Sequence, residues 1–246
     1  MKVNINSITG IDDAICTMFI SKHSLTEELE ADIRKTVANV TTRQGKLVIH
    51  NSDKEDLAKY SNWIEKLCKW GRRHITMLRF IDISCTVYGL HRAGQDDWDA
   101  HASRFNNRII RTSSRIAGTK DESHLQNLSD YYSDKVLTTD AALAALGMDM
   151  PDRLEYDGKV YVRAFNGYIV EGMENNQDVK RGLYNLGFPS DFLFRVNLTE
   201  FAHVYKERGQ HGAANPEVKQ CAEMIADKLA EMQPSFNRDL LMEIKN

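Results

Sequence analysis

Cysteine, proline and glycine are scarce in this chain, and neither sign of charge dominates it. Among 246 residues stand only 4 Cys, 4 Pro and 14 Gly, which excludes a collagen-like, low-complexity or disulfide-dense protein. Cys16, Cys68, Cys85 and Cys221 are widely scattered, with no C-x-x-C pair and no His at zinc spacing. They are expected as small buried hydrophobes, with a nucleophilic thiolate as the less favoured alternative and neither a disulfide framework nor a structural metal. Thirty-two basic against 35 acidic side chains give a net charge of −3, so a basic footprint for general nucleic-acid binding is missing. Small anionic ligands stay open. No apolar run approaches the ~18 residues needed to span a bilayer. The opening MKVNINSITGIDD lacks the charged-then-apolar pattern of a leader. These absences describe a soluble protein expected in the cytoplasm.

What is present is an ordinary globular composition, 42% hydrophobic and 27% charged. The length suits one domain that buries roughly three-quarters of its unfolded surface. Residues 2–8 alternate like a strand. Two capping boxes, Ser24-Leu25-Thr26-Glu27 and Ser52-Asp53-Lys54-Glu55, predict helices to about Val37 and Gly71, the second with Leu57, Tyr60, Ile64, Leu67 and Cys68 on one face. The connection 39–51 holds a short apolar strand candidate, and Ile75 to Val87 turns β-like in its second half. Helices are expected over Asp97–Ile116, His124–Tyr132 and Thr139–Leu146. Asn166-Gly167 between KVYVRAF and Tyr168–Val170 is a hairpin signal. A helix from about Gln177 to Gly187, a strand Phe192–Val196 and a helix Leu198–Arg208 follow. A last helix opens on Asn215-Pro216 and ends before Pro234. With no repeat and no linker, the pattern favours a single α+β domain over 1–246.

Standard chemical motifs are missing: no G-x-G-x-x-G, no phosphate loop, no G-x-S-x-G and no H-E-x-x-H. Arg, His and Asn instead gather in three stretches: 71–76, 101–115, and a third holding Arg181, Asn197, His203 and Arg208. Arg104, Arg108, Arg111 and Arg115 would line one face of a helix. Such a stripe is either a solvated, acid-paired face or a wall that binds phosphate, which Arg matches bidentately. Asn106 and Asn107 would add amide donors and acceptors. The residues alone read as an α+β domain with an anionic-ligand site.

In order and spacing the stretches resemble the flavin-dependent thymidylate synthases. Arg181 is followed sixteen residues later by Asn197-Leu198-Thr199, then His203, Arg208, Ala214-Asn215-Pro216-Glu217-Val218 and Pro234. The family runs Arg, Asn-Leu-Arg, a polar residue, Arg, A-Q-x-E-I and a long helix. His74-Ile75-Thr76 is similar to the segment ahead of the family's signature, R-H-R-x-x-S-x-N-E-x-S-x-R. In the ungapped register that signature falls on Asp99 to Arg111 and keeps Asn106 and Arg111. It puts Asp99-Ala100-His101 at R-H-R, Asn107 at Glu and Ile109 at the second Ser. A register with four inserted residues keeps Ser113 and Arg115 but loses the Asn-Glu pair. The resemblance covers about residues 65–115 and 178–236.

The resemblance implies the family's fold, with a central, mostly antiparallel sheet. It implies FAD held by Thr76, His74, His101, Asn106, Asn197 and His203, with NADPH and methylenetetrahydrofolate as co-substrates. Arg111, Arg181 and Asn107 would bind a deoxypyrimidine monophosphate, dUMP or dCMP. Arg208 would bind it too and act as the catalytic group, polarising the pyrimidine. The family's reaction uses no enzyme cysteine on the base, and its members are homotetramers. The altered signature leaves methylation of dUMP beside a sibling hydroxymethylation or hydroxylation of dUMP or dCMP. A catalytically weak relative that binds nucleotide or flavin, and an unrelated interaction protein, are the alternatives.

Overall fold

The alternation of the first residues becomes strand β1 (Lys2–Thr9), and Gly10 turns the chain sharply into helix α1 (Ile11–Ile20). Gly10 has φ 78°, and a Cβ there would lie 2.0 Å from the Phe80 carbonyl oxygen, so only glycine fits. The sequence reading assigned no element to 11–20, because this helix is apolar nearly all round and has no side-chain cap. Helix α2 (Glu27–Val40) is capped by Thr26, whose Oγ1 accepts from the Leu29 N–H at 3.2 Å. The expected box at Ser24 is therefore displaced by two residues, and the Ser24 hydroxyl donates to the Phe19 carbonyl. Helix α3 (Lys54–Gly71) buries Tyr60, Trp63, Ile64, Leu67 and Cys68, the face expected from its periodicity.

The computed structural model describes residues 1–41, 54–101, 108–113, 127–164 and 166–244. The strand candidate within 39–51 and the cap at Ser52-Asp53 thus fall almost wholly outside the described residues. A 3₁₀ turn over Ile75–Phe80 leads into β2 (Asp82–His91), followed by α4 (Arg92–His101) and β3 (Arg108–Arg111). Strand β7 (Pro189–Asn197) completes a four-stranded sheet ordered β1-β2-β7-β3. Ile83, Cys85 and Val87 on β2, and Phe192, Phe194 and Val196 on β7, are buried at period two. The α+β class is the one expected, and the pairings of β4 (Arg153–Tyr156), β5 (Lys159–Ala164) and β6 (Gly167–Val170) are antiparallel.

The helix expected over 97–116 is corrected. Helix α4 is assigned only to His101, and Arg108–Arg111 is a strand at one end of the sheet order. Ile109 and Ile110 are β-branched and favour the extended backbone, and ladder pairing outweighs the helical periodicity of the arginines. The four-arginine stripe does not form. Arg108 and Arg111 stand three apart on a strand, so they leave opposite faces, while Arg104 and Arg115 lie outside the described residues. Arg108 is bound to Asp82 at 2.7 Å.

Two compact units emerge from the contacts within the chain. The first comprises Met1–Val87, Asp96–Ile110 and Phe192–Asn246, and the second Tyr88–Gln95 and Arg111–Asp191. In the first, β7 passes into α8 (Leu198–Val204) and a π-helical turn, Tyr205–Gln210. Helix α9 (Pro216–Met232) follows, capped by Asn215 as expected, and then α10 (Arg238–Glu243), which the sequence reading did not assign. Trp98 closes this core against Phe192 and Phe194, with ring centroids 6.2 and 5.3 Å away.

The second unit is built on short helices, α5 (Asp130–Ser133), α6 (Thr139–Ala145) and α7 (Gln177–Lys180), and the β4-β5-β6 sheet. Its tight turn is Asp157-Gly158, both with positive φ (49° and 71°), as a type I′ hairpin between paired Tyr156 and Lys159 requires. Asn166-Gly167 is not the centre of the next turn, since Gly167 already pairs with Ala164. The helix expected to Gly187 gives way after Lys180 to one 3₁₀ turn, Arg181–Leu183.

Candidate functional site

Local packing sets the first stretch. The Leu78 side chain lies 2.5 Å from where a Cβ on Gly71 would stand, so the chain folds back tightly between the end of α3 and the 3₁₀ turn. That closure leaves His74 and Thr76 exposed while Met77 and Leu78 are buried. His74, Lys69, Trp70, Arg72 and Arg73 line a cavity of about 410 Å³. Lys22 sits over the Trp70 ring with Nζ 3.6 Å from its centroid, a cation–π contact. Arg72 is engaged by Glu243 at 2.6 Å. A cavity walled by cations and an indole favours an anionic ligand with an aromatic portion.

The same unit brings Asn197 and the helix after it, from the third stretch, up to this turn. The Leu198 N–H donates to the Ile81 carbonyl at 2.8 Å, and α8 packs on the 3₁₀ turn. Asn197, buried between β7 and α8, caps the helix. Its Oδ1 accepts from the Glu200 N–H at 3.0 Å and from the Thr199 hydroxyl at 2.6 Å. Only the Nδ2 amide is left for a ligand. His203 is half-buried on the last turn of α8.

Beyond it the helix widens to a π turn, a feature frequent at functional sites. Gly209 makes the turn fit, since a Cβ there would stand 2.9 Å from the Tyr205 ring and 3.3 Å from Ala222. Arg208 projects from this turn and forms an ion pair with Asp97, Nη2 lying 2.8 Å from Oδ1, with 18% of its side chain exposed. Its Nε is buried without a hydrogen-bond partner. An unsatisfied guanidinium N–H is costly to bury, and among the described residues this one finds no acceptor, which makes Arg208 a candidate ligand-binding group. Asp97 was not singled out from the sequence. It stands 111 positions from Arg208, and only folding shows their pairing.

Arg111 and Arg181 belong to the second unit. Arg111 is half-buried at the end of β3, and Arg181 is exposed, 3.6 Å from Asp178. Asn106, Asn107 and the side chain of His101 lie outside the described residues. All four cysteines are free and buried. Burial pushes the Cys68 thiol up to about 12 and moves those of Cys16, Cys85 and Cys221 upward too, so none is a thiolate near neutral pH. Among the described residues no cluster of three His, Cys, Asp or Glu is placed to hold a metal. No described helix is long and apolar enough to cross a membrane.

No protein-family model and no curated protein matches the sequence. Solved structures match the fold. Thymidylate synthase X (ThyX) from Helicobacter pylori, in a crystal structure with FAD and dUMP, gives a TM-score of 0.54 at 12% identity, over 98% of this chain and 100% of that one. Another structure of flavin-dependent ThyX from Helicobacter pylori, complexed with FAD and dUMP, gives 0.49 at 11% identity over the full length of both. The chain therefore has a fold similar to that of a flavin-dependent thymidylate synthase, and at this identity the likeness is one of fold.

Proposed function

We propose that residues 1–246 form a flavin-dependent enzyme that modifies C5 of a deoxypyrimidine monophosphate. The observation that carries the reading is Arg208: a guanidinium mostly removed from water, held at one nitrogen by Asp97, with a second N–H unspent. A fold similar to that of a protein solved with FAD and dUMP supports the same reading. The cavity beside His74, with its cations and indole, fits a phosphate-bearing aromatic cofactor such as FAD.

In this reading His74, Thr76, His203 and the free amide of Asn197 hold FAD, together with His101 and Asn106. Reduced FAD supplies a hydride when bound. Arg111 and Arg181 take the nucleotide phosphate, and Asn107 lies against the substrate. Arg208 donates to the pyrimidine ring and stabilises the charge that develops there as C5 becomes nucleophilic. No protein thiol takes part, since every cysteine is buried and its thiol held protonated. NADPH is the reductant, methylenetetrahydrofolate the one-carbon donor, and the working form a cytoplasmic homotetramer. A methyl product would take both the one-carbon unit and the hydride, a hydroxymethyl product the one-carbon unit and water without the hydride, and a hydroxyl product would need dioxygen with the reduced flavin in place of the folate.

The test is an absorbance spectrum of the purified protein, followed by product analysis with dUMP and dCMP, with and without the folate. Flavin absorbance and a C5-substituted nucleotide are expected. A colourless protein that takes up no added FAD would overturn the reading.

A further inference from the structure

Strand β4 stands at one end of the β4-β5-β6 order, and every residue of it is exposed. The ladder fixes which of its backbone groups are spent. The Arg163 N–H donates to the Asp152 carbonyl at 2.9 Å, which sets the phase of the pairing between β4 and β5. Hydrogen-bonded positions recur at every second residue, so Leu154 and Tyr156 turn their backbone groups toward Tyr161 and Lys159. Arg153 and Glu155 turn theirs outward, where no strand among the described residues meets them. Leu154 and Tyr156 share one face of the sheet with Tyr161 and Val170, and they are 41% and 70% exposed. A free edge beside exposed apolar side chains is a template for a further strand.

We infer that β4 is the docking edge for a second copy of this chain, paired antiparallel about a two-fold axis that passes beside Leu154. The outward groups choose the register. Only Arg153 and Glu155 can donate and accept across the open edge, so a second β4 must set these positions against each other. Arg153 against the partner's Arg153, or Glu155 against the partner's Glu155, would place like charges directly opposite, which is destabilising. Arg153 against the partner's Glu155 puts opposite charges together on each side of the axis, and each such pair exchanges its backbone hydrogen bonds. Leu154 then meets the partner's Leu154, and Tyr156 reaches it diagonally, on the face that one copy leaves exposed. Glu155 enters no ion pair among the described residues, and Arg153, bound to Glu171, keeps further guanidinium donors. The order Arg-Leu-Glu is complementary to its own reverse, which is why the occupant is the same chain. Charges that ordinarily keep an edge from pairing here attract one particular strand.

The experiment is sedimentation velocity on the full chain, for wild type, Glu155→Arg, Arg153→Glu and an equimolar mixture of these two variants, with circular dichroism confirming that each is folded. Either variant alone sets like charges opposite on each side of the axis. Each should weaken association by more than about tenfold and halve the particle, tetramer to dimer or dimer to monomer. Mixed, the two variants restore opposite charges at every pair, and a particle holding both should re-form. Glu155→Pro gives an independent reading. It removes an outward N–H and no bond of the chain's own ladder, so this variant should stay folded and dissociate. A monomeric wild type overturns the inference. So does a mixture whose components stay apart, or a wild-type mass that Glu155→Arg and Glu155→Pro leave unchanged. That last result would put assembly on another surface and leave the proposed function standing. Failure of the wild type to take up FAD removes the proposed function alone, since no residue of this edge is assigned to the cofactor.

Discussion

An arginine with one nitrogen ion-paired and a buried N–H left unsatisfied is a candidate for a bond to a ligand. Arg208 is in that state, and its contribution should appear in rate more than in affinity. Replacing it by alanine is expected to slow the chemical step by ~10²–10³-fold, the usual loss for one preorganised electrostatic donor. Arg208→Lys should recover little, because a point charge cannot copy the planar fork that serves Asp97 and the ring together. Single-turnover flavin reoxidation at saturating nucleotide measures this. Equal rates in all three proteins, with FAD still bound, would place Arg208 outside the reaction. At this scale the sequence was partly legible: Arg208, Asn197 and His203 could be chosen from their order. Asp97 could not, because a pairing across 111 positions has no local signature.

Helix α8 shows how one residue serves both an element and a site. Asn197 ends β7, starts α8, and spends its carbonyl oxygen on the cap. Asn197→Ala is therefore expected to lower stability by about 1 kcal/mol, seen as a fall in Tm. It should weaken FAD binding as well. Asn197→Asp separates the two roles, because aspartate caps as well as asparagine but lacks the amide N–H groups. Its Tm should stay near wild type while flavin affinity drops, and an unchanged affinity would limit Asn197 to capping. The amphipathic α3 and the capped α9 were readable in advance, since a buried stripe is periodic and an Asn-Pro cap is local. Helix α1 was not, being apolar on most faces. At Arg108–Arg111 the helical spacing of arginines competed with two β-branched isoleucines, and the sheet decided the outcome.

At the scale of the whole molecule, the reading requires assembly. A homotetramer carrying about one FAD per chain is the expected form, checked by light scattering together with the flavin absorbance of the same peak. A monomer that holds FAD stoichiometrically would remove the assembly and keep the cofactor; a monomer without FAD would remove both. The similarity to the Helicobacter pylori ThyX structure extends over 98% of this chain at 12% identity. Fold is preserved at that distance because many apolar residues of suitable volume can fill the same core. The polar residues of a site are not interchangeable in this way, so each must be argued from its own partners.

By itself the sequence determined the α+β class, the burial of the four cysteines, the limits of the last long helix and the order of Arg181, Asn197, His203 and Arg208. These follow from composition, periodicity and spacing, which are local or linear properties. Only the tertiary structure decided that the arginine stripe does not exist and that His74 lines a cavity of cations around Trp70. It also decided that Asn197 is half-spent on a cap and that Arg208 is clamped by Asp97 with its Nε unsatisfied. Each of these is a contact between residues distant along the chain, or a choice between helix and strand settled by sheet pairing. Such energies arise only when the core has closed.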